Sequence, residues 1–449
     1  MEVRGVAPPA WVRDSIFYQI FPDRFHNGRP ENDPPGTRPW GERPTSQSFF
    51  GGDLWGILEK LDYLADLGVT ALYLTPIFRA STNHRYDTED YFEVDPVLGG
   101  NEALKALVQE LHRRGMRLIL DGVFNHCGAG HPFFREAKER GQSSSYWDWF
   151  VWEEEEPGYS CWAGCASLPE WNHDNPAVRD YLLSVVRFWL KEYEIDGWRL
   201  DTVEYLPPDF VREIYTAVKG VNPEAYVLGE VMGLGTPWFR IRALDGVMHY
   251  RLWEGLVHFF AEESWDAQRF AHHLWHIWRS YPSWANFSSY TLLGSHDKPR
   301  FLTLAKNDQR KLLLAAAFLF AYPGAPAIYY GDEVGLLGGE DPDCRRCFPW
   351  EEVYPHHPIL SMFKRLVSLR KEEETLRRGG LRFYFACGRA LLFGRPYAER
   401  EVLLALNAGA EEAVLPLPPG RFREKESGGL CAKALRLPGY SFSFLTRVT

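Results

Sequence analysis

No block of lysine and arginine runs through this chain, and no apolar stretch approaches a membrane span. Its first residues, MEVRGVAPPAWVRDS, carry no apolar run behind the early arginine. The first absence, with a formal net charge of -10, argues against nucleic acid or an anionic membrane as partner, because both demand concentrated positive charge. The second leaves Leu312–Tyr322 as the longest apolar run, the length of a buried helix rather than of the about 20 residues that cross a bilayer. The third predicts that there is no secretory signal, and with it a cytoplasmic protein. Cysteine is sparse too: seven, an odd number with no even framework, which favours a reducing compartment. Aromatic residues, in contrast, are abundant at 15%, with 17 Trp. Indole rings mostly fill cores, but the same flat faces stack on the C–H faces of sugars.

A chain of 449 residues suits one large domain with a smaller one attached. Apolar runs alternate with helical patterns for most of its length. Strands are predicted at Ser15–Ile20, Val69–Thr75, Arg117–Asp121, Gly197–Asp201, Tyr226–Glu230, Ala243–His249, Ser288–Leu293 and Ala327–Tyr330. Helices are predicted between them, at Leu54–Leu67, Asn101–Arg114, Pro176–Tyr193, Pro208–Lys219, in helical segments after His249 through Arg279, and at Gln309–Ala321, with Ile359–Arg370 after the last strand. Eight such units close a (β/α)8 barrel. The connection between Asp121 and Pro176 is too long for an ordinary loop and predicts a small inserted domain after the third strand. From about Leu381 the pattern becomes short alternating strands with Gly and Pro turns, predicting an antiparallel β-sandwich. The expected organisation is a barrel over 1–123 and 176–378, an insert over 124–175 and a β-sandwich over 379–449.

In such a barrel the strand C-termini form the active face. Acidic residues stand at three of them: Asp121 in LILDGVFNH, Asp201 in DGWRLDTVEY and Glu230 in YVLGEVMG. A fourth, Asp297, follows the seventh strand in LLGSHDKPR. Any one of these could cap a helix, but four on one face must do electrostatic work or bind a cation. Retaining glycoside hydrolysis uses two carboxylates about 5–5.5 Å apart, and Asp201 and Glu230 lie on strands that a barrel makes neighbours. Arg199 shares a strand face with Asp201 and is placed to hold it ionised. His126 and His296 are candidate donors to sugar hydroxyls, against the alternative of hydrogen-bonded core histidines.

DGVFNH, GWRLD, GEVMG and LLGSHDKPR together resemble, in order and spacing, the four signature regions of the α-amylase family. The resemblance covers nearly the whole chain. It implies a (β/α)8 barrel with an insert after strand three and a C-terminal β-sandwich, and a reaction that needs no organic cofactor. It also implies Asp201 as nucleophile, Glu230 as general acid/base and Asp297 as the third carboxylate, with Arg199, His126 and His296 around the cleaved bond. Tyr86, in NHRYDTEDY, resembles the tyrosine that stacks on the sugar, with Asp87 beside it. SIFYQIFPDRF, FFGGDLWGILEKLDYL and DPDCRRCFPW resemble in particular the cyclomaltodextrinases, neopullulanases and maltogenic amylases. LPEWN stands where those proteins have MPKLN, so Glu170 and Trp171 are departures. GWRLDTVEY departs as well, with Glu204 and Tyr205 on the acceptor side. The first barrel strand comes by Ser15, without the extra N-terminal domain of those relatives, and that places their dimer and cyclodextrin preference in question.

Two metal sites come under consideration. FPDRFHNGRPENDP with GGD resembles a calcium loop of the relatives, implying Asn27, Asn32, Asp33, the Gly51 carbonyl and Asp53 as ligands. Arg29 stands where the pattern has Asp, and the alternatives to the ion are a guanidinium in its place or a hydrogen-bonded turn. Cys161 and Cys165 in YSCWAGC, with Cys344 and Cys347 in DPDCRRC, lie on active-face loops; they offer a four-thiolate zinc site, bridges between the loops, or separate free thiols.

The leading expectation is retaining hydrolysis of α-1,4, and secondarily α-1,6, glucosidic bonds in maltooligosaccharides, cyclodextrins or starch fragments. A glucanotransferase on the same scaffold is the alternative, and a non-catalytic carbohydrate-binding protein is disfavoured because no catalytic position is missing. Oligosaccharide is the expected partner; the oligomeric state stays open. A cleft formed within one subunit is expected, walled by the insert, with Trp147, Trp149, Trp152, Trp162 and Trp171, and by the loop after strand eight, with the charged Asp343, Arg345 and Arg346. Asp343 or Arg346 on that loop would contact the non-reducing end. For each tryptophan a place in the insert's own core is the competing expectation.

Overall fold

A computed structural model describes residues 7–448; the first six residues of the segment read for a secretion signal lie outside them. Eight parallel strands close a barrel: β1 (Phe17–Ile20), β2 (Ala71–Leu74), β3 (Arg117–Gly122), β4 (Gly197–Leu200), β5 (Tyr226–Val231), β6 (Gly246–His249), β7 (Tyr290–Leu292) and β8 (Ala325–Tyr329). The ring closes where Phe17 of β1 pairs with Ala327 of β8. Nearly every strand residue is buried, because lumen and helices cover both faces of a parallel sheet. Phe17, Tyr73, Ile119, Tyr226, Leu228 and Tyr290 fill the lumen, and Trp11 seals its lower end with its indole N–H on the Glu224 carbonyl. Helices pack outside through apolar stripes, as in Gly100–Arg113, where Leu104, Leu107, Val108 and Leu111 face the strands.

The expected single helix over Leu54–Leu67 is two, Leu54–Glu59 and Leu61–Leu67, broken at Lys60. A hairpin that the apolar pattern did not predict, Phe78–Ala80 with Thr88–Val94, follows β2 and carries Tyr86 on its connecting loop. The long connection after β3 holds one helix, Pro132–Arg140, and is otherwise tied by isolated bridges, including Phe150 to Trp171 and Trp152 to Tyr159. Its interior is aromatic: Phe134, Phe150, Tyr159 and Trp171 are buried together, with Trp147 stacked on Trp152 at 4.0 Å.

Beyond the barrel, six antiparallel strands form a sheet whose alternation divides two cores. Leu391, Phe393, Leu404 and Leu406 face the barrel, while Leu392, Leu403 and Ala405 face the two-stranded layer Ala413–Pro416/Ala434–Leu437. Helix Gln309–Ala321, apolar almost all round, is the layer between barrel and sheet, with Phe318 5.2 Å from Phe393. Its end sits where water cannot reach the last carbonyls. Two buried arginines supply donors instead: Arg370 to the Phe320 and Tyr322 carbonyls, and Arg395 to those of Ala321, Gly379 and Gly380. Among the described residues no helix is long and apolar enough to cross a membrane.

Candidate active site

Strand register builds the site. Asp121 of β3 pairs with Arg199 of β4, and Leu200 of β4 pairs with Gly229 of β5. Asp201 and Glu230 are therefore the next rung on adjacent strands at the C-terminal mouth, where neighbouring backbones run about 4.8 Å apart. Arg199 is fully buried among the carboxylates. Its Nη1 donates to Asp201 Oδ1 at 2.7 Å and to both oxygens of Asp121 at 2.8 and 3.0 Å. Nη2 lies 3.1 Å from Glu230 Oε2, an ion pair without a directed N–H.

Thr202 completes the connection. Its φ of +43° is left-handed, an uncommon conformation for a β-branched residue. That turn aims the Thr202 backbone N–H at Glu230 Oε2, 2.8 Å away, while its hydroxyl reaches Asp201 Oδ2 at 3.3 Å. Glu230 Oε1 thus stands free of these donors, and Asp201 Oδ2 has only the long hydroxyl contact. Burial pushes Asp201, Glu230 and Asp121 upward, the last to about 6, and Arg199 opposes the shift in all three. Asp297 Oδ2 stands 4.0 Å from Arg199 Nη2, so four carboxyl side chains crowd one guanidinium. Asp201 and Asp121 accept directed Arg199 hydrogen bonds, whereas Glu230 accepts only the Thr202 amide.

Around this centre is a cavity of ≈ 300 Å³, lined by His84, Tyr86, His126, Trp162, Asp297 and Arg345 among others. Tyr86 lies parallel to His296 at 5.5 Å and donates to Asp121 Oδ2 at 3.0 Å. His296 Nδ1 is held by the Gln19 amide at 2.7 Å, so Nε2 faces Tyr86 and, at 3.2 Å, Asp297 Oδ2. Burial lowers His126 to about 4, leaving it neutral, and its Nε2 has no partner in the protein. A buried ring nitrogen without a partner, in a residue that lines the cavity, is suited to a ligand hydroxyl.

Other expected site residues lie elsewhere. Asp87 is turned into its own loop, accepting from the Ser81 backbone at 3.2 Å and from the Thr82 hydroxyl. Asp343 and Arg346 pair with each other, and Asp343 also takes Arg43 at 2.9 Å; neither lines the cavity. Their neighbours do: Arg345 binds Asp341 at 2.9 Å, donates to the His296 carbonyl at 2.9 Å and stands 3.5 Å from Asp297. Sequence reasoning counted Arg345 among the charged residues of this loop but gave the contact to Asp343 or Arg346, and it missed Asp341, although DPDCRRC contains both. Of the five insert tryptophans considered, only Trp162 lines the cavity; Trp171 is buried and donates to the Tyr91 hydroxyl. Glu170 accepts from Asn125 and Ser160 within the insert.

The four-thiolate zinc site and the bridges between loops are corrected. All seven cysteines are free, and among the described residues no three His, Cys, Asp or Glu side chains converge as a metal cluster. Cys344 and Cys347 point into the protein, Cys344 donating to the His296 carbonyl, whereas Cys165 is exposed on the insert. Of the five expected ligands between Asn27 and Asp53, only Asp33 and Asp53 are carboxylates. Asp53 Oδ1 caps helix Leu54–Glu59 through the Gly56 N–H at 2.6 Å, while Asp53 Oδ2 and Asn27 Oδ1 are buried without a donor. Gly51, at φ +80°, packs so closely that a Cβ would sit 2.3 Å from Asp33 Oδ1. Arg29 does not fill the loop; it turns outward to Glu59 and over the Trp55 ring.

Comparison with known proteins agrees with this construction. Residues 19–357 match the family described as alpha amylase, catalytic domain. A cyclomaltodextrinase of Geobacillus thermopakistaniensis is 45% identical over 419 residues, 91% of this chain and 71% of that protein. Neopullulanase 2 of Thermoactinomyces vulgaris is 41% identical over 433 residues, 94% of this chain and 73% of that one. The solved structure of cyclic alpha-maltosyl-(1→6)-maltose hydrolase from Arthrobacter globiformis matches with a TM-score of 0.92 at 37% identity, covering 98% of this chain and 100% of that one. With the closed barrel, the carboxylates at its mouth and these likenesses together, the chain belongs to the alpha-amylase family of glycoside hydrolases.

Proposed function

We propose that the protein is a retaining α-glucan hydrolase in which Asp201 is the nucleophile and Glu230 the general acid/base. The observation that carries this reading is the pairing of the two carboxylates at adjacent strand ends, linked through Arg199 and Thr202. Such closeness suits covalent attack, whereas inversion needs a wider gap with room for water. Arg199 and the Thr202 N–H occupy Asp201 Oδ1 and Glu230 Oε2. Asp201 Oδ2 is then the attacking oxygen and Glu230 Oε1 carries the proton to the departing glycosidic oxygen. Glu230, ionised by that transfer, next takes a proton from water, and the hydroxide displaces Asp201 from the anomeric carbon with net retention.

Asp297 and His296 accept and donate to the ring hydroxyls of the sugar that Tyr86 stacks on, and His126 Nε2 supplies one more donor. Asp341 and Arg345, rather than Asp343 and Arg346, contact the non-reducing end. The substrates are α-1,4-linked maltooligosaccharides, cyclodextrins or starch fragments, with α-1,6 bonds as a second class, in keeping with what the relatives' names state of them. The cleft is formed by one subunit's own residues, and the unpaired cysteines favour work in the cytoplasm. The Asn27–Asp53 loop fits calcium: two buried oxygens lack donors beside Asp33, and hard oxygen ligands are what that ion takes.

Maltotriose tests the reading. The expected products are glucose and maltose, formed without any added cofactor. An intact trisaccharide after prolonged incubation overturns it.

A further inference from the structure

Histidine is mostly hidden in this protein: of fourteen, only His272, His276 and His356 are exposed. Two of those three stand four residues apart on one helix, Ala267–Ser280, in AQRFAHHLWHIWRS. Residues at that spacing lie one turn apart on the same face, with Cβ atoms about 5–6 Å from each other. The helix also decides which histidine is withheld. Phe270, Leu274 and Ile277 bury its inner stripe, and His273 beside them gives Nε2 to the Arg251 carbonyl at 2.7 Å. His272 and His276 are left outside. Among the described residues neither ring has a hydrogen-bond or ion-pair partner; His276 accepts only at its backbone carbonyl, from Ser280.

The backbone beneath the pair is anchored at its start. Asp266 caps the helix by accepting the Arg269 N–H at 2.7 Å, and the Ala267 N–H bonds the Gly388 carbonyl of the C-terminal sheet at 2.8 Å. Gln268, also exposed, lies one turn before His272, so a side-chain carbonyl and two imidazoles run down one stripe. Of the cations on this side, Arg269 is drawn over the Trp265 ring at 4.6 Å, and Arg279 stands one turn beyond His276. The charge of Arg279 opposes a bound cation, so the attraction has to come from the ring nitrogens. Magnesium and calcium seek oxygen and gain little from them, whereas imidazole suits zinc, copper and nickel.

We propose that His272 and His276 form a two-imidazole site for a divalent late first-row transition ion, with the Gln268 carbonyl and water completing its shell. The two rings act as a chelate. Once one nitrogen holds the ion, the other meets it at a high effective concentration, and the combined hold exceeds what either ring gives alone. The ion ties two successive turns of the helix together on the outside of the barrel. None of the three residues lines the cavity, so the site is separate from the carboxylates and does not depend on the reaction assigned to them.

Calorimetric titration of nickel chloride into the 449-residue chain tests the site. Exposed thiols are alkylated first and calcium is kept in excess, so that neither cysteine nor the Asn27–Asp53 loop takes the nickel. The parent should bind one nickel per chain at its tightest site. His272→Ala and His276→Ala should each weaken that binding about tenfold or more, the loss expected when a chelate becomes a single ligand. His356→Ala, which removes the exposed histidine that stands alone, should bind as the parent does. All three variants should turn over maltotriose at the parent's rate, which shows that they are folded. A parent that takes up no nickel would overturn the proposal, as would either His272→Ala or His276→Ala binding as tightly as the parent. A loss in His356→Ala equal to theirs would place the ion elsewhere and overturn it too.

Discussion

Asp201→Asn should lower turnover of maltotriose by about four orders of magnitude or more, and Glu230→Gln by about three to four. The substitutions keep shape and remove, respectively, the attacking charge and the transferable proton. The two should part company on an aryl glycoside. A good leaving group needs little protonation, so Glu230→Gln recovers much of its first-step rate there, while Asp201→Asn recovers none. Far-ultraviolet circular dichroism should be unchanged in both, because the barrel core does not depend on these side chains. Steady-state rates on both substrates check the pattern; a variant within about tenfold of the parent on maltotriose removes its residue from the assignment.

Arg199→Met carries the second largest effect. Among the described residues the guanidinium is the only cation bonded to both Asp121 and Asp201, and it is buried with them. A methionine fills similar volume but leaves three buried carboxyls without their counter-charge. Burial already pushes Asp201 upward, and Arg199 is what opposes it. Without Arg199 the nucleophile holds its proton to higher pH. The acid limb of kcat/KM, which reports ionisation of Asp201, should therefore move up by at least about one pH unit. At neutral pH turnover should fall about a thousandfold or more. Arg199→Lys should rescue only part of this, since one ammonium cannot reproduce the Nη1 contacts to two carboxylates together with an ion pair from Nη2. An acid limb that stays in place shows that Arg199 does not set the charge of Asp201.

Much of this was readable in the sequence because buried parallel strands are short apolar runs and the family's carboxylates fall at their ends. LILDG, GWRLD and YVLGE show both features at once. The hairpin before Tyr86 was not readable for a physical reason: Thr88–Val94 buries every third residue, and its register shifts twice, so the alternation that marks a strand is absent. DPDCRRC placed the right loop at the mouth, yet the side chains that face the cleft are Asp341 and Arg345. A tight 3-10 turn at Asp343–Arg345 decides that, and no periodicity in a single loop reveals it. The four cysteines misled for a related reason. Spacing brings two pairs onto loops at one face, but Cys344 and Cys347 turn inward while the insert holds Cys165 in solvent. Thr202 gives no sign in the sequence of its left-handed backbone, since φ > 0 is a feature that glycine or asparagine would have announced.

The central claim is that Asp201 forms a glycosyl bond and Glu230 assists on both sides of it. Proton NMR on the first turnovers of a maltooligosaccharide, before mutarotation mixes the anomers, tests this most directly. Two displacements at one carbon restore its configuration, so the newly formed reducing end should appear as the α-anomer. A first product that appears as the β-anomer would mean a single displacement by water and would contradict the account.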